Sequence, residues 1–321
     1  SYELDQRDTE TLNAIASAYQ SIGDIDKATS YYTKALRVNP LSEASHKCVL
    51  FVILNNYKLS TKELFEIHRE VRGPFDKPEF YNKSFSNRDK SRKRKIKVGY
   101  ISSDFRTHVV AMNVLPLLAN HNHDQFEIFL YSQVEFPDEI TKLCQEYADH
   151  WCSTMQKTDK EVADIIEKDE IDILVVLAGR FDENRPLVTT YRPAPIQVSF
   201  HDCATSGLKS MDYYFTDSIL HPENTVELFT EKLYRLPYYY QYPIQEGIPE
   251  IGDTPALSND YITFGSFNKP EKIGDPVIEL WANVLSSVPD SKLLLKYFNH
   301  YDEESMKDRW IRCFEKYNIK A

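Results

Sequence analysis

Apolar positions in the first 75 residues recur at helical spacing, and nothing there alternates as a strand would. Between residues 9 and 40, Leu12, Ala16, Tyr19, Gly23, Ala28, Tyr32, Ala35 and Pro40 mark two helices joined by a turn. The small Ala16 and Ala28 let the helices approach closely, and Tyr19 and Tyr32 fill the space between them. Gly23 permits the turn, and Pro40 closes the second helix. Two more helices are predicted over 42–57 and 61–72, with Ser60 or Thr61 as N-cap of the second. Residues 76–95 read as a linker. Its end, 84–97 (SFSNRDKSRKRKIK), is polar and then basic. A solvated connector is the expectation there, with a nuclear signal or a phosphate patch as alternatives.

From Ile96 the period changes. Short apolar runs at 97–102, 126–132, 171–177, 196–200 and 232–237 alternate with helical stretches at 109–120, 138–149, 158–169 and 223–230. Strands alternating with helices of this length predict βαβ units and a doubly wound parallel sheet. Pro243, Pro249 and Pro255 mark a second connector. The pattern then restarts as strand 261–267, helix 276–287, strand 292–298 and helix 302–317. The expected fold class is α/β: helices over 1–75, a basic linker over 76–95, a Rossmann-like lobe over 96–242, a connector over 243–260 and a partial second lobe over 261–321. Two βα units are too few to close a sheet, so the rest of that lobe is expected beyond Ala321.

Composition narrows the function classes. The 321 residues carry 38 Lys and Arg against 49 Asp and Glu, a formal net charge of -11. That balance disfavours a protein working on nucleic-acid backbones or anionic membranes. No apolar run reaches the length of a membrane span, and the opening SYELDQRDTE has no basic-then-apolar signal. Cys48, Cys144, Cys152, Cys203 and Cys313 are scattered, without a C-x-x-C pair, so neither a disulfide framework nor a zinc site is expected. A reducing compartment, the cytoplasm, is the reading.

In open α/β sheets, ligands bind at loops leaving the carboxyl ends of strands. Three such loops carry suitable groups. Residues 102–108 (SSDFRTH) put the carboxylate of Asp104 and the imidazole of His108 before a helix, where the dipole favours an anion. Residues 201–207 (HDCATSG) offer the hydroxyls of Thr205 and Ser206 and the backbone of Gly207. Asn268, Lys269 and Lys272 precede a helix that opens with Asp275 and Pro276, where a lysine can meet a phosphate. Without a G-x-G-x-x-G or Walker loop, dinucleotide or ATP binding is disfavoured. Lobes joined by a Pro-rich connector, with a lysine facing the cleft, fit transfer from a phosphorylated donor. His121, His123 and His150 could bind a metal but read as solvated loop histidines, so no metal site is expected. Tyr238, Tyr239 and Tyr240 could stack on a sugar but read as packing and rim.

Two resemblances sharpen this. The pattern over 9–40 resembles a tetratricopeptide repeat, with Leu12 where tryptophan is usual; one repeat cannot bury its own faces, so the next helices are expected to cap it. The blocks KIKVGYISSDFRTHVV, IDILVVLAGR, RPAPIQVS, TSGLKSMDYYFTD, TPALSNDYITFGSFNKPEKI and LWANVLSSVPDSKLLLK, in this order, resemble the O-GlcNAc transferase / SPINDLY family. SHKCVLFVILNNYKLSTKELFEIHREV resembles that family's transition helices. The resemblance implies tetratricopeptide helices before a two-lobed (GT-B) glycosyltransferase. It implies inverting, metal-independent transfer of a sugar from UDP-GlcNAc, or GDP-fucose as in SPINDLY-like members, to Ser or Thr of proteins. No other cofactor is implied. The partners implied are acceptor proteins or peptides, held through the repeat region, and the nucleotide-sugar. The place implied is cytoplasmic, or nucleocytoplasmic in a eukaryote.

Carried over residue by residue, His46 matches a histidine at the edge of the family's active site. His108 matches the histidine of its D-F-x-x-H loop, a catalytic base or a donor contact. Lys272 matches the lysine on the donor diphosphate, offsetting charge on the leaving group. Three departures stand out. Phe200-His201-Asp202-Cys203 replaces W-L-G-Y-P, one residue shorter, with Asp202 where a glycine lets backbone approach the donor sugar. Arg180 replaces a His or Tyr, and Lys269 stands where Gln or Asn is common. The segments that hold base and ribose are expected beyond Ala321. These departures motivate a second reading, a non-catalytic scaffold that binds protein through the repeat.

Overall fold

The computed structural model describes residues 8–89, 91, 93–242 and 247–320. The first seven residues of the opening stretch, Lys90 and Arg92 of the basic cluster, and Pro243 of the second connector lie outside them. Contacts divide the chain into two compact units, Ser1–Leu59 with Glu246–Ala321, and Ser60–Gln245.

The first unit begins with helices α1 (Thr9–Ser21), α2 (Ile25–Val38) and α3 (Glu43–Val52). Asp8, Asp24 and Ser42 cap them by accepting from backbone N–H groups of the first turn. Leu12, Ala16, Ala28 and Ala35 are buried, and the missing side-chain bulk at the alanines lets α1 lie against α2. Gly23 makes the turn at φ +74°. The helix expected over 42–57 stops at Val52 and ends in a 3-10 turn, Ile53–Asn55.

The second unit opens with α4 (Thr61–Arg72), closed at its start by a reciprocal capping box between Ser60 and Glu63. Then follow β1 (Ile96–Ser102), α5 (Val109–Ala119), β2 (Phe126–Ser132), α6 (Glu139–Tyr147), β3 (His150–Ser153), α7 (Asp159–Lys168), β4 (Ile173–Leu177), β5 (Ile196–Phe200), β6 (Tyr213–Thr216) and β7 (Lys232–Arg235). They form one parallel sheet in the order β3-β2-β1-β4-β5-β6-β7. Alternate strand residues feed two cores. Val98, Tyr100, Ile128, Leu130, Val175 and Leu177 join Val114, Leu115 and Leu118 of α5 on one face. Ile101, Phe129, Tyr131, Leu174 and Val176 join Val162, Ala163 and Ile166 of α7 on the other. A parallel strand covered on both faces must be apolar on both, which is why these strands read as unbroken runs.

Three expectations are corrected here. Strands β3 and β6 were not expected; each has four residues, too few to establish a period of two. The helix expected over 223–230 does not form. The backbone N–H of Thr230 goes to Thr205 Oγ1 at 3.0 Å, and the Phe229 ring packs on Tyr214 and His221 at 4.9 and 5.0 Å between centroids. Tertiary partners there outbid the helical ladder. The linker is not simply solvated either. Arg94 grips Asp172 with two bonds of 2.6 and 2.7 Å, Lys83 pairs with Glu167 at 2.6 Å, and Arg88 donates to the backbone oxygens of Ile171 and Pro193.

The first unit resumes with α8 (Ala256–Asn259), β8 (Thr263–Ser266), α9 (Asp275–Ser287), β9 (Lys292–Leu295) and α10 (Glu304–Glu315). β8 and β9 pair in parallel. Ile273, Ile278, Ala282, Trp310 and Phe314 form the core beneath α9 and α10.

Candidate functional site

The strand order changes direction at β1. Chain connections run outward from β1 to β2 and β3, then return to β4 on its other side. At such a switch the loops leaving the carboxyl ends of the two strands part and leave a crevice. One of these loops follows β1 and the other follows β4.

Asn184 joins them. Its side chain is buried, and it accepts from Ser102 Oγ at 3.0 Å and from the Ser103 N–H at 2.8 Å. It donates to Asp104 Oδ2 at 2.8 Å and to the Ala178 carbonyl at 3.2 Å. Asp104 is fully buried, and its other oxygen accepts from Ser103 Oγ at 3.2 Å. Burial pushes the Asp104 carboxyl above its ordinary range, against the opposing pull of the Asn184 amide and His108. The β4 loop makes its turn with Ala178 at φ 47° and Asp182 at φ 44°. That left-handed conformation suits Asp better than most side chains.

His108 sits at the N-cap of α5, where Nδ1 accepts from the Val110 N–H at 3.3 Å. Its Nδ1 lies 3.7 Å from Asp104 Oδ1, and its Nε2 lies 3.6 Å from Asp182 Oδ2. Arg106 reaches the same two carboxylates, at 4.0 and 3.6 Å. Asp104, His108 and Asp182 bring their ligand atoms close enough together for a metal ion. Yet Nδ1 is taken by the Val110 N–H, and the Arg106 guanidinium already approaches both carboxylates.

The loop after β5 is held from several sides. Arg180 and Asp202, two of the departures from the family pattern, form a buried ion pair. Arg180 also donates to His68 Nε2 of α4 at 2.8 Å and to the carbonyls of Ala204 and Thr205 at 2.8 and 2.9 Å. Burial alone would weaken the Arg180 charge; the Asp202 carboxylate more than offsets this. Burial and the neighbouring Arg180 push the His68 imidazole down to about 3, so it is neutral and accepts through Nε2 while Nδ1 donates to the Leu64 carbonyl at 2.6 Å. Thr205 Oγ1 donates to Glu231 at 2.6 Å, and the Ser206 N–H does so at 2.7 Å. Burial raises the Glu231 carboxyl above its ordinary range. Gly207 has φ +73°, and a Cβ there would meet the His68 carbonyl oxygen at 2.5 Å.

The remaining candidates belong to the other unit. His46 on α3 is buried, with Nε2 on the Pro40 carbonyl at 2.7 Å. Asn268 bonds Ser266 Oγ at 3.2 Å. Lys269 lies over the rings of Phe51 and Tyr297, and Lys272 is exposed in the 3-10 turn before α9. His121, His123 and His150 do not gather. They bond Tyr100, Asp149 and Glu127 respectively. Tyr239 is buried, whereas Tyr238 and Tyr240 are exposed. Among the loops the sequence singled out, the one after β4 was missing. With it went Asp182 and Asn184, because nothing local reveals that β4 lies beside β1.

Comparison with known proteins gives the family of the chain. Residues 75–242 match the model of glycosyl transferase family 41. A probable UDP-N-acetylglucosamine–peptide N-acetylglucosaminyltransferase SPINDLY from Arabidopsis thaliana is 33% identical over 270 residues, covering 81% of this chain and 29% of that protein. Its counterpart from Oryza sativa subsp. japonica is 33% identical over 276 residues, covering 83% and 29%. The chain therefore spans about three tenths of the length of these curated relatives. A solved structure of a mutant Thermobaculum terrenum O-GlcNAc transferase superposes with a TM-score of 0.89 at 25% identity, covering 99% of this chain and 61% of that one. The family match takes in α5, the seven-stranded sheet and the loops that carry Asp104, His108 and Asp182, and on these grounds the chain belongs to glycosyl transferase family 41.

Proposed function

We propose that this chain is part of an inverting protein O-glycosyltransferase, with 96–242 as its acceptor-side lobe and 261–321 as part of its donor-side lobe. The observation that carries the reading is the cluster of Asp104, His108 and Asp182, set where the strand order switches and inside the family-matched region. In the reaction, a Ser or Thr hydroxyl oxygen bonds to the anomeric carbon of a nucleotide-sugar. The bond from that carbon to the diphosphate breaks with its electrons on the diphosphate, and the hydroxyl gives up its proton. His108 takes that proton, or it contacts the donor and the proton goes to the departing diphosphate. Lys272, at the start of α9, offsets charge on the leaving diphosphate without a metal ion. Asn268, Lys269, Thr205, Ser206 and Gly207 are the further donor contacts in this reading, and His46 borders the site. The helices of 1–75 act as a tetratricopeptide-type surface for acceptor proteins. The donor is UDP-GlcNAc, or GDP-fucose as in SPINDLY-like members. A cytoplasmic setting accords with five cysteines of which none forms a disulfide. Among the described residues no helix is long and apolar enough to cross a membrane.

The test is thermal stability of the protein titrated with UDP, UDP-GlcNAc, GDP and GDP-fucose. A donor at a hundred times its dissociation constant adds about 2.7 kcal/mol. The expected outcome is stabilisation by one nucleotide series, weakened in Lys272→Ala. A second reading, a protein-binding scaffold with a degenerate transferase lobe, is favoured by one observation. Asp202 stands where the family resemblance leads one to expect glycine, and Thr205 and Ser206 already serve Glu231. No stabilisation by any of the four ligands selects that reading.

A further inference from the structure

We infer that Asp182 is a positioning residue that, together with the Val110 N–H, holds His108 as the tautomer with its proton on Nε2, so that the ring contacts the donor as a hydrogen-bond donor and does not take the acceptor's proton. This deepens the glycosyltransferase reading of the same cluster and, for its role in catalysis, rests on it. The asymmetry of the ring's surroundings carries the argument. Two carboxylates flank the imidazole at nearly equal distances, Asp104 at 3.7 Å from Nδ1 and Asp182 at 3.6 Å from Nε2. They are not equivalent partners. Nδ1 accepts the Val110 N–H at the start of α5, and a nitrogen that accepts there cannot carry a proton. The oxygens of Asp104 also accept from Ser103 and Asn184. A neutral ring therefore keeps its proton on Nε2, the nitrogen 3.6 Å from Asp182 Oδ2.

Asp182 is held for this task. Its backbone adopts φ 44°, and Arg106 of the β1 loop lies 3.6 Å from the same Oδ2. Arg106 brings its charge to within 4.0 Å of both Asp104 and Asp182, the carboxylates on either side of the ring. With Nδ1 occupied by the helix and Nε2 already protonated, the neutral ring has no lone pair for a substrate hydroxyl.

The experiment is long-range proton–nitrogen NMR of protein labelled with nitrogen-15 histidine, at mildly alkaline pH where imidazoles are neutral. His108→Gln identifies the His108 signals by their loss. The expected result is a protonated-type Nε2 and an unprotonated-type Nδ1. Asp182→Gly tolerates the positive φ and removes the carboxylate beside Nε2, leaving Asp104 beside Nδ1, so the share of the Nδ1-protonated form rises against the Val110 contact. Asp182→Asn keeps both the backbone conformation and a side-chain oxygen, and it retains the wild-type signature. A wild-type ring protonated on Nδ1, or an Asp182→Gly spectrum unchanged from wild type, overturns the inference. So does broadening of the His108 signals by stoichiometric manganese, which makes the cluster a metal site. None of these readings needs a donor. If no nucleotide-sugar binds while the tautomer responds as stated, the glycosyltransferase reading falls and the role of Asp182 as partner to His108 stands.

Discussion

Arg180 and Asp202 depart singly from the pattern the family leads one to expect, and each is intelligible only through the other. An aspartate in place of a glycine at the end of β5 would bury a lone carboxylate, and an arginine at 180 would bury a lone guanidinium. Together they pair, with His68 and two carbonyls taking the remaining donors. Breaking one side of a buried pair costs about 3–5 kcal/mol, because the survivor keeps its desolvation without its partner. Arg180→Met and Asp202→Gly should each lose that much in urea unfolding, and the double variant should lose far less than their sum. Glu231 makes an opposite case. Its carboxyl is raised by burial, so its stabilising contribution is present below the ordinary carboxylate range and is lost as pH rises through its folded value. Glu231→Gln should therefore narrow the stability gap to wild type, or reverse it, as pH is raised from 4 to 8 in the same unfolding assay.

At the scale of elements, most helices and strands were legible, β7, β8 and β9 among them, whereas β3, β6 and the course of 223–230 were not. Of Ser60 and Thr61, the two N-cap candidates for α4, Ser60 takes the position, and Glu63 completes a capping box with it. Ser60→Ala should cost about 1 kcal/mol in thermal unfolding. The segment over 223–230 has a helix-like composition but yields to the neighbouring His221 and to Thr205 and Tyr214, which lie further back along the chain. The basic linker likewise looked solvated because its carboxylate and carbonyl partners lie 78 to 105 positions further along the chain. Gly207 ties two elements together by standing against the backbone of α4. Gly207→Ala adds a left-handed penalty to a clash with a carbonyl that cannot rotate away. A loss of more than about 2 kcal/mol is expected.

For the molecule as a whole, acid is the revealing perturbation. His68 is held down at about 3 and His201 at about 4, each chiefly by burial. Groups with depressed folded values stabilise the protein fully above the ordinary imidazole range. That stabilisation is lost as pH falls, since the unfolded chain takes up protons that the folded one refuses. The melting temperature should fall between pH 6.5 and 4, and His68→Gln should flatten that fall. A discontinuous unit, with the N-terminal helices grouped with residues from the far end of the chain, is beyond any linear reading of segments. Local periodicity by itself determined that this chain is α/β. Strands buried on two faces must be apolar throughout, helices between them must be amphipathic, and both demands are written into neighbouring residues. The order of the strands, the pairing of Arg180 with Asp202 and the meeting of His108 with Asp182 were decided by the tertiary structure. They depend on which apolar faces pack together across the whole sheet, and that choice brings together side chains 22 and 74 positions apart whose attraction no local pattern records.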